Sequence, residues 1–332
     1  MGTTADKLNK LIESKAAIKA AIEAKGVADV GDVLSDYPNK IASIPSGSGG
    51  TGGKLDIANY SLGGSNFVVF DPSPFDFSNK TDFTRFFYYC LDVTTIPYFD
   101  TSKAIYFAST FSDCKKLTDV AALDTSNVIN FNNTFSDCIS LKEAPAFNTS
   151  SALGMSYMFD NCQSLISVPL YNTMNVTSMS GIFKNCSKLA NVPAFDTSNV
   201  TDMSYMFYSC YILTSIPTFG TSKVTKMGSM FYQCSALTSV PLLDATNVTD
   251  VYNMFYKCSG LTTLSGFTGL KVNLDLSYSS GLTVESVLNV INNAADMSSS
   301  AKTLTLNKAV FAQLSEEQIQ TASAKGWNIA QK

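Results

Sequence analysis

The sequence predicts an α/β solenoid, a stack of eight 24-residue coils. Eight cysteines lie 24 residues apart, and a phenylalanine stands three residues before each of them. A leucine follows at the third position after every cysteine except the first, where Val93 takes its place. A fixed period of this length is the signature of stacked units that bury their apolar residues against one another. The cysteines are Cys90, Cys114, Cys138, Cys162, Cys186, Cys210, Cys234 and Cys258.

Within one coil, apolar residues recur at about every third position, which fits neither a long amphipathic helix nor an alternating strand. Residues 203–210 have apolar side chains at helical spacing and predict a single helical turn. Residues 213–216 are rich in β-forming types and predict the strand that pairs with the next coil. Pro217 ends that pairing because proline has no N–H to donate. Residues 196–199 and their equivalents predict turns.

The segment before the repeats is of a different kind. Residues 4–25 predict an amphipathic helix that Gly26 ends, and residues 46–54 predict a Gly/Ser linker. A lone helix ahead of a flexible linker is expected to bury its apolar face against copies of itself or on a partner. We therefore assign residues 1–45 to anchoring and oligomerisation, 55–270 to the solenoid and 271–332 to a small α/β cap. The apolar face of the helix comprises Leu8, Leu11, Ile12, Ile18 and Ile22.

The C-terminal cap is predicted to contain strands at 274–276, 303–306 and 327–330, with a helix at 284–295. Thr283 is the expected N-cap of that helix, and its inward face is expected to hold Val284, Val287, Leu288 and Ile291. Ser315 and Gln318 form a capping box for a second helix, with Leu314 and Ile319 as a hydrophobic staple. A solenoid needs such a module to cover its open core.

The cysteine column allows three interpretations. Metal ligands normally lie a few residues apart, whereas these cysteines are 24 apart and the chain has no histidine. Disulfides between adjacent coils are conceivable, since equivalent positions lie about 5 Å apart, but they need an oxidising compartment. We favour buried reduced thiols acting as small apolar side chains, because the cysteines fall on the same every-third-residue pattern as the phenylalanines and leucines. No cofactor is expected, and the absence of histidine argues against an enzyme.

Composition favours a polar, uncharged surface. Only 15% of residues are charged, against roughly 25% in an average soluble domain. The net charge of −4 provides no basic field for nucleic acid, and no apolar run is long enough for membrane insertion. The sequons that begin at Asn175, Asn199 and Asn247 share one repeat position, so turn formation explains them better than glycosylation.

A tyrosine column two residues before the cysteine comprises Tyr88, Tyr208, Tyr232 and Tyr256. Tyrosine offers a large, rigid contact area with a polar tip, which suits a ligand-contact surface. Packing of ring on ring between neighbouring coils explains the column equally well.

Three segments resemble known proteins. Residues 206–217 match M-F-x-x-C-x-x-L-T-x-[VI]-P and residues 195–203 match F-D-T-S-N-V-T-x-M, so residues from about 75 to 269 resemble the BspA-like leucine-rich repeats of bacterial and phage surface proteins. Residues 7–26 and 37–44 are similar to an N-terminal segment of phage tail and fibre proteins. The L-T-V-E-S-V and K-G-W elements resemble the C-terminal cap of phage and prophage repeat proteins. The resemblance implies a leucine-rich-repeat-like curved slab used for binding or spacing, without inherited catalytic residues.

These resemblances lead us to expect a bacteriophage virion structural protein, a head or tail fibre or decoration. Its N-terminus would bind other virion proteins and itself, with a trimer favoured, and its solenoid would contact a bacterial surface glycan or protein. We expect the virion as its location, after assembly in the host cytoplasm, because no signal peptide is recognised. The alternative is a bacterial adhesin that binds a host or matrix protein, which needs a secretion signal. A cytoplasmic scaffold is a third, less favoured possibility.

Overall fold

The computed structural model describes residues 55–332 except Tyr60, Asn66 and Pro74. The predicted N-terminal helix, with its apolar face from Leu8 to Ile22, and the linker lie outside the described residues. No helix among the residues described is long and apolar enough to cross a membrane.

The predicted stack of coils is confirmed. Equivalent residues of neighbouring coils pair in parallel, as in the bridges that join Ser178 to Asp202 and Asp202 to Lys226. A further coil precedes the eight, because the amides of Leu62 and Gly64 donate to carbonyls of the Cys90 coil over 2.8 and 2.7 Å. Each coil therefore satisfies its backbone groups on its neighbours, as buried backbone requires.

The strands of the solenoid are short. Where strand pairing was predicted at residues 213–216, the structure has a single bridge between Ser215 and Ser239. Proline follows this position in most coils and removes the next ladder donor, which limits the pairing. The strands are β1 (Leu55–Asp56), β2 (Phe75–Asp76), β3 (Thr95–Ile96), β4 (Asp119–Val120), β5 (Ser239–Val240), β6 (Leu243–Asp244), β7 (Thr263–Leu264) and β8 (Phe267–Thr268).

The predicted helical turn at residues 203–210 is wrong. The amides of Tyr205 and Phe207 donate to the next coil, over 3.0 and 2.9 Å, and the amide of Tyr208 donates three residues back to Tyr205. Tyr205 and Ser209 have φ angles of 59° and 57°, in the left-handed region. The arc is therefore a run of tight turns whose alternate amides serve the neighbouring coil, and the helical i to i−4 pattern does not form.

The same pair of left-handed residues recurs in all eight coils, five residues and one residue before the cysteine. Few non-glycine residues adopt this backbone conformation, and stacking must stabilise it here. The first set comprises Arg85, Ser109, Asn133, Tyr157, Gly181, Tyr205, Ser229 and Asn253. The second comprises Tyr89, Asp113, Asp137, Asn161, Asn185, Ser209, Gln233 and Lys257.

The core is a set of parallel columns along the solenoid axis. The phenylalanine, cysteine and leucine columns are fully buried. The ring of Phe183 stacks between those of Phe159 and Phe207, with centroids 6.0 and 5.9 Å away. Regular stacking of this kind explains why the register holds without a slip over eight coils.

The C-terminal cap extends the parallel stack. Its three strands lie side by side in the order 327–331, 302–306 and 274–276. Trp327, at the start of the last strand of the chain, is buried, and its indole N–H donates to the Ala295 carbonyl over 2.9 Å. The cap consists of β9 (Leu274–Leu276), α1 (Val284–Asn293), β10 (Lys302–Leu306), α2 (Lys308–Phe311), α3 (Glu316–Ala324) and β11 (Trp327–Gln331). The short α2, which Asn307 caps, was not predicted from the sequence.

The N-caps of the cap helices agree with the sequence-based prediction, whereas the buried face of α1 differs from it. Thr283 caps α1 and Ser315 with Gln318 forms the capping box of α3, as predicted. The buried face of α1 holds Ser286, Val287, Val290 and Ile291, whereas Val284 and Leu288 are only half-buried. Ser286 turns this face inward because its hydroxyl donates to the Thr262 carbonyl and accepts from the Leu264 amide.

Candidate functional site

A stack of tyrosine rings runs along one face of the last three coils and into the cap. The rings of Tyr208 and Tyr232 lie 4.4 Å apart at 2°, and those of Tyr232 and Tyr256 lie 4.6 Å apart at 15°. Tyr278 of the cap continues the row, 4.4 Å from Tyr256 and tilted by 56°. These spacings match the distance between paired strands. We call these four residues the tyrosine ladder.

Ring-on-ring packing, one of the two interpretations of the tyrosine column, is therefore present in the structure. The rings of the ladder are half-buried, since each covers its neighbour. Burial raises the pKa of Tyr208 above its usual value, and the adjacent Tyr232 adds to this shift. Tyr88 is separate: it lies 5.6 Å from the Arg85 guanidinium and beside Tyr89. Ligand contact by Tyr88, Tyr208, Tyr232 and Tyr256 remains a prediction.

In the coils before the ladder, the tyrosine position holds Ser112, Ser136, Asp160 and Lys184, and the adjacent column adds Asp137, Asn161 and Asn185. Asp160 accepts from the Lys184 ammonium at 3.2 Å and from the Asn185 amide at 3.1 Å. Burial raises the pKa of Asp160, although Lys184 opposes that shift. Asp137 accepts from Asn161 over 2.6 Å. Along the solenoid axis, this face thus changes from hydrogen-bonded polar side chains to stacked aromatic rings.

An open cleft of about 310 Å³ lies beside the C-terminal end of the ladder. The turn residues that flank the last three cysteines supply most of its lining, and the cap supplies Tyr278. We call it the C-terminal cleft; it is lined by Tyr211, Gln233, Ser235, Lys257, Ser259 and Tyr278. Gln233 and Lys257 reach it from left-handed backbone positions, with φ angles of 61° and 58°. The sequence-based prediction of contact residues missed this cleft.

The cysteine column forms a buried structural row. All eight cysteines are free and buried, and the thiol of Cys186 donates to the Phe159 carbonyl over 3.1 Å, a bond that most of the other cysteines repeat. Burial raises the pKa of Cys186 above its usual value. Throughout the part of the chain that the structure describes, no group of three or more histidine, cysteine or acidic side chains is placed to hold a metal.

The asparagines of the three sequons have a structural role. The side-chain amides of Asn175, Asn199 and Asn247 donate to backbone carbonyls of the preceding coil, over 3.2, 2.7 and 2.7 Å. Each bond links one turn to the equivalent turn of the preceding coil. Turn formation therefore accounts for this repeated position.

The middle ring of the ladder offers a direct measure of its stacking. We expect Tyr232→Ala to lower the free energy of unfolding by about 1–3 kcal/mol, because two ring contacts are lost together. Urea unfolding followed by circular dichroism would measure this. The matched control is Tyr252→Ala, since that tyrosine is 75% exposed and its loss should change stability by less than about 0.5 kcal/mol. Equal effects of the two changes would contradict a stabilising ladder.

One family model and several solved structures are similar to this chain. A family model described as "Mycoplasma protein of unknown function, DUF285" matches residues 63–169 and 155–266. A leucine-rich repeat protein of T. pallidum is 15% identical, with 58% of this chain and 81% of that chain covered and a TM-score of 0.35. A leucine-rich repeat protein of Bacteroides ovatus ATCC 8483 is 16% identical, with 87% and 98% covered and a TM-score of 0.32. No curated protein matches the sequence.

Proposed function

The chain belongs to the family described as "Mycoplasma protein of unknown function, DUF285", and from this premise we propose that it is a non-enzymatic surface-contact protein. We assign it to a bacteriophage virion, as a head or tail fibre or decoration. Its N-terminal segment attaches to other virion proteins and to copies of itself, as a trimer, and its solenoid contacts the bacterial surface.

The tyrosine ladder is the observation that carries this proposal. It is a polar-tipped aromatic surface held on a rigid stack, and it ends beside the C-terminal cleft. Rigid aromatic side chains bind partners at a low cost in conformational entropy. The virion setting is supported by the resemblance of residues 7–26 and 37–44, and of the cap motifs, to segments of phage proteins.

Deleting residues 1–45 should separate attachment from folding. We expect a soluble, folded solenoid, because the described core begins at Ile57 and lies downstream of the deletion. The truncated chain should be absent from purified particles, whereas the full chain should be found in them by mass spectrometry. Normal incorporation of the truncated chain would contradict anchoring through the N-terminus.

A bacterial adhesin that binds a host or matrix protein is the second candidate. The description of the matching family, which names Mycoplasma, favours a bacterial cell as the setting. Immunogold labelling of cells and of particles distinguishes the two. Labelled cells together with unlabelled particles would support the adhesin and overturn the virion assignment.

A further inference from the structure

We propose that the C-terminal cleft binds an anionic saccharide. This inference rests on the proposed function, since it names the ligand class of the same contact surface. The cleft combines a cation, hydrogen-bonding side chains and aromatic walls within about 310 Å³. That volume lies at the lower end of the range of ligand sites, roughly 300–1,000 Å³, and suits a small part of a polymer.

The charge of the cleft favours an anion. Among the described residues, no carboxylate lies within ion-pair distance of the Lys257 ammonium, which stands 5.4 Å from the Tyr256 ring. A second ammonium, that of Lys332, lies 5.6 Å from the Tyr278 ring and only 3.8 Å from Asp275, an exposed and therefore weak partner. The two lysines thus place positive charge at one end of a chain with a net charge of −4.

The hydrogen bonds around Gln233 orient a donor for a ligand. Its side-chain carbonyl accepts from the Ser209 hydroxyl at 3.1 Å and from the Tyr211 hydroxyl at 3.4 Å. Both bonds use the side-chain oxygen of Gln233. Among the described residues, its side-chain N–H₂ group has no hydrogen-bond acceptor. The Ser259 hydroxyl also lines the cleft. Sugar hydroxyls and carboxylates are suitable partners for such groups.

The aromatic walls favour a saccharide over a simple anion. Tyr211 is 44% exposed and lines the cleft together with Tyr278. The C–H face of a sugar ring packs well on an aromatic face, while its edge carries the hydroxyls that bind polar side chains. A longer polymer can extend from the cleft over the hydroxyl edges of the tyrosine ladder.

The test measures binding of the full-length protein to an oligosaccharide of glucuronic acid by isothermal calorimetry. A chemically matched probe has its carboxylates reduced to alcohols, and a glycerol phosphate polymer tests phosphate as the source of charge. We expect the glucuronic acid probe to bind at low salt, to weaken as salt rises, and to bind at least tenfold better than the reduced probe. Binding of the glycerol phosphate polymer alone would contradict a saccharide ligand. Lys257→Gln should weaken that binding at least tenfold.

Two matched controls keep the test specific. Lys142→Gln removes an exposed lysine from a distant coil and should leave binding unchanged. Tyr211→Ala should weaken binding, whereas Tyr252→Ala, which removes a 75% exposed ring outside the cleft, should not. Wild-type affinity of Lys257→Gln, or equal affinity for the reduced probe, would overturn the anionic saccharide assignment.

Parallel binding of the labelled protein to bacterial cells separates this inference from the proposed function. Cell binding without binding of either anionic probe overturns the cleft assignment and leaves the surface-contact function supported. Probe binding by a protein that is absent from particles supports the cleft assignment and overturns the virion role.

Discussion

Raising the pH from about 8.5 to about 10.5 is expected to unfold the solenoid. Burial raises the pKa of seven cysteine thiols above the usual 9.0, to about 12 for Cys258. In the unfolded chain the same thiols ionise near their ordinary pKa, so above about pH 9 the unfolded state binds fewer protons than the folded state. The stability that the protonated thiols contribute is complete below the unfolded pKa and falls as the pH rises towards the folded pKa. These thiols belong to Cys114, Cys138, Cys162, Cys186, Cys210, Cys234 and Cys258.

The size of the effect follows from the number of thiols. Each thiol lowers the free energy of unfolding by about 1.4 kcal/mol at one pH unit above its unfolded pKa. Seven thiols together lower it by roughly 10 kcal/mol, which is comparable to the whole stability of a typical protein. Lys80 acts in the opposite sense, because burial lowers its pKa from 10.5 to about 8 and its contribution to stability rises over that range. One group of that kind does not offset seven thiols.

Urea unfolding at a series of pH values between about 8 and 10 would measure how the free energy of unfolding changes with pH. Cys210→Ser is the matched variant, because its hydroxyl can donate to the Phe183 carbonyl as the thiol does over 3.1 Å. Between about pH 8 and pH 10 its free energy of unfolding should fall by about 1.4 kcal/mol less than that of the unchanged protein, since one titrating thiol is gone. An unchanged slope would contradict a buried, protonated thiol at this position.

Replacing Phe183 by alanine is expected to lower the free energy of unfolding by about 3–5 kcal/mol. The side chain is fully buried, and its ring contacts those of Phe159, Phe207 and Phe195, with centroids 5.9–6.1 Å away. Because each coil is stabilised mainly by its two neighbours, the loss should spread to the coils on either side.

Chemical denaturation measures the size of this loss, and hydrogen exchange shows where it falls. The amides of the coils that contain Cys162 and Cys210 should lose more protection than those of the coil that contains Cys90. Phe183→Leu keeps most of the apolar volume and should cost less than half as much as alanine. A uniform loss of protection across all coils would contradict nearest-neighbour stabilisation.

The register of the solenoid could be predicted from sequence because three buried columns repeat without interruption. The conformation of residues 203–210 could not be predicted. Apolar residues at offsets 0, 3, 4 and 7 are compatible both with a helix and with a run of tight turns. The difference lies in hydrogen bonds to residues 23 positions further along, such as that from Tyr205 to Gly228. Glycine, the usual signal of a left-handed residue, occupies only Gly181 among the sixteen positions concerned.

The candidate site was predictable only in part. The tyrosine column pointed to Tyr208, Tyr232 and Tyr256, but Tyr278 follows Tyr256 by 22 residues, in the cap, where the 24-residue period no longer applies. Tyr211 lies in a column that otherwise holds unrelated residue types, such as Leu91 and Lys115. No repeat pattern therefore marks the lining of the C-terminal cleft, which depends on how the last coil meets the cap.

The paired left-handed residues also affect how a gene of this kind can change. A single inserted residue in the arc would displace both of them and break the contacts with two neighbours, whereas gain or loss of a whole coil by recombination between repeats keeps every contact in register. Each added coil moves the C-terminal cleft about 4.8 Å further from the first coil of the solenoid without altering its lining. The length of the solenoid can therefore evolve without any change in the residues that line the cleft.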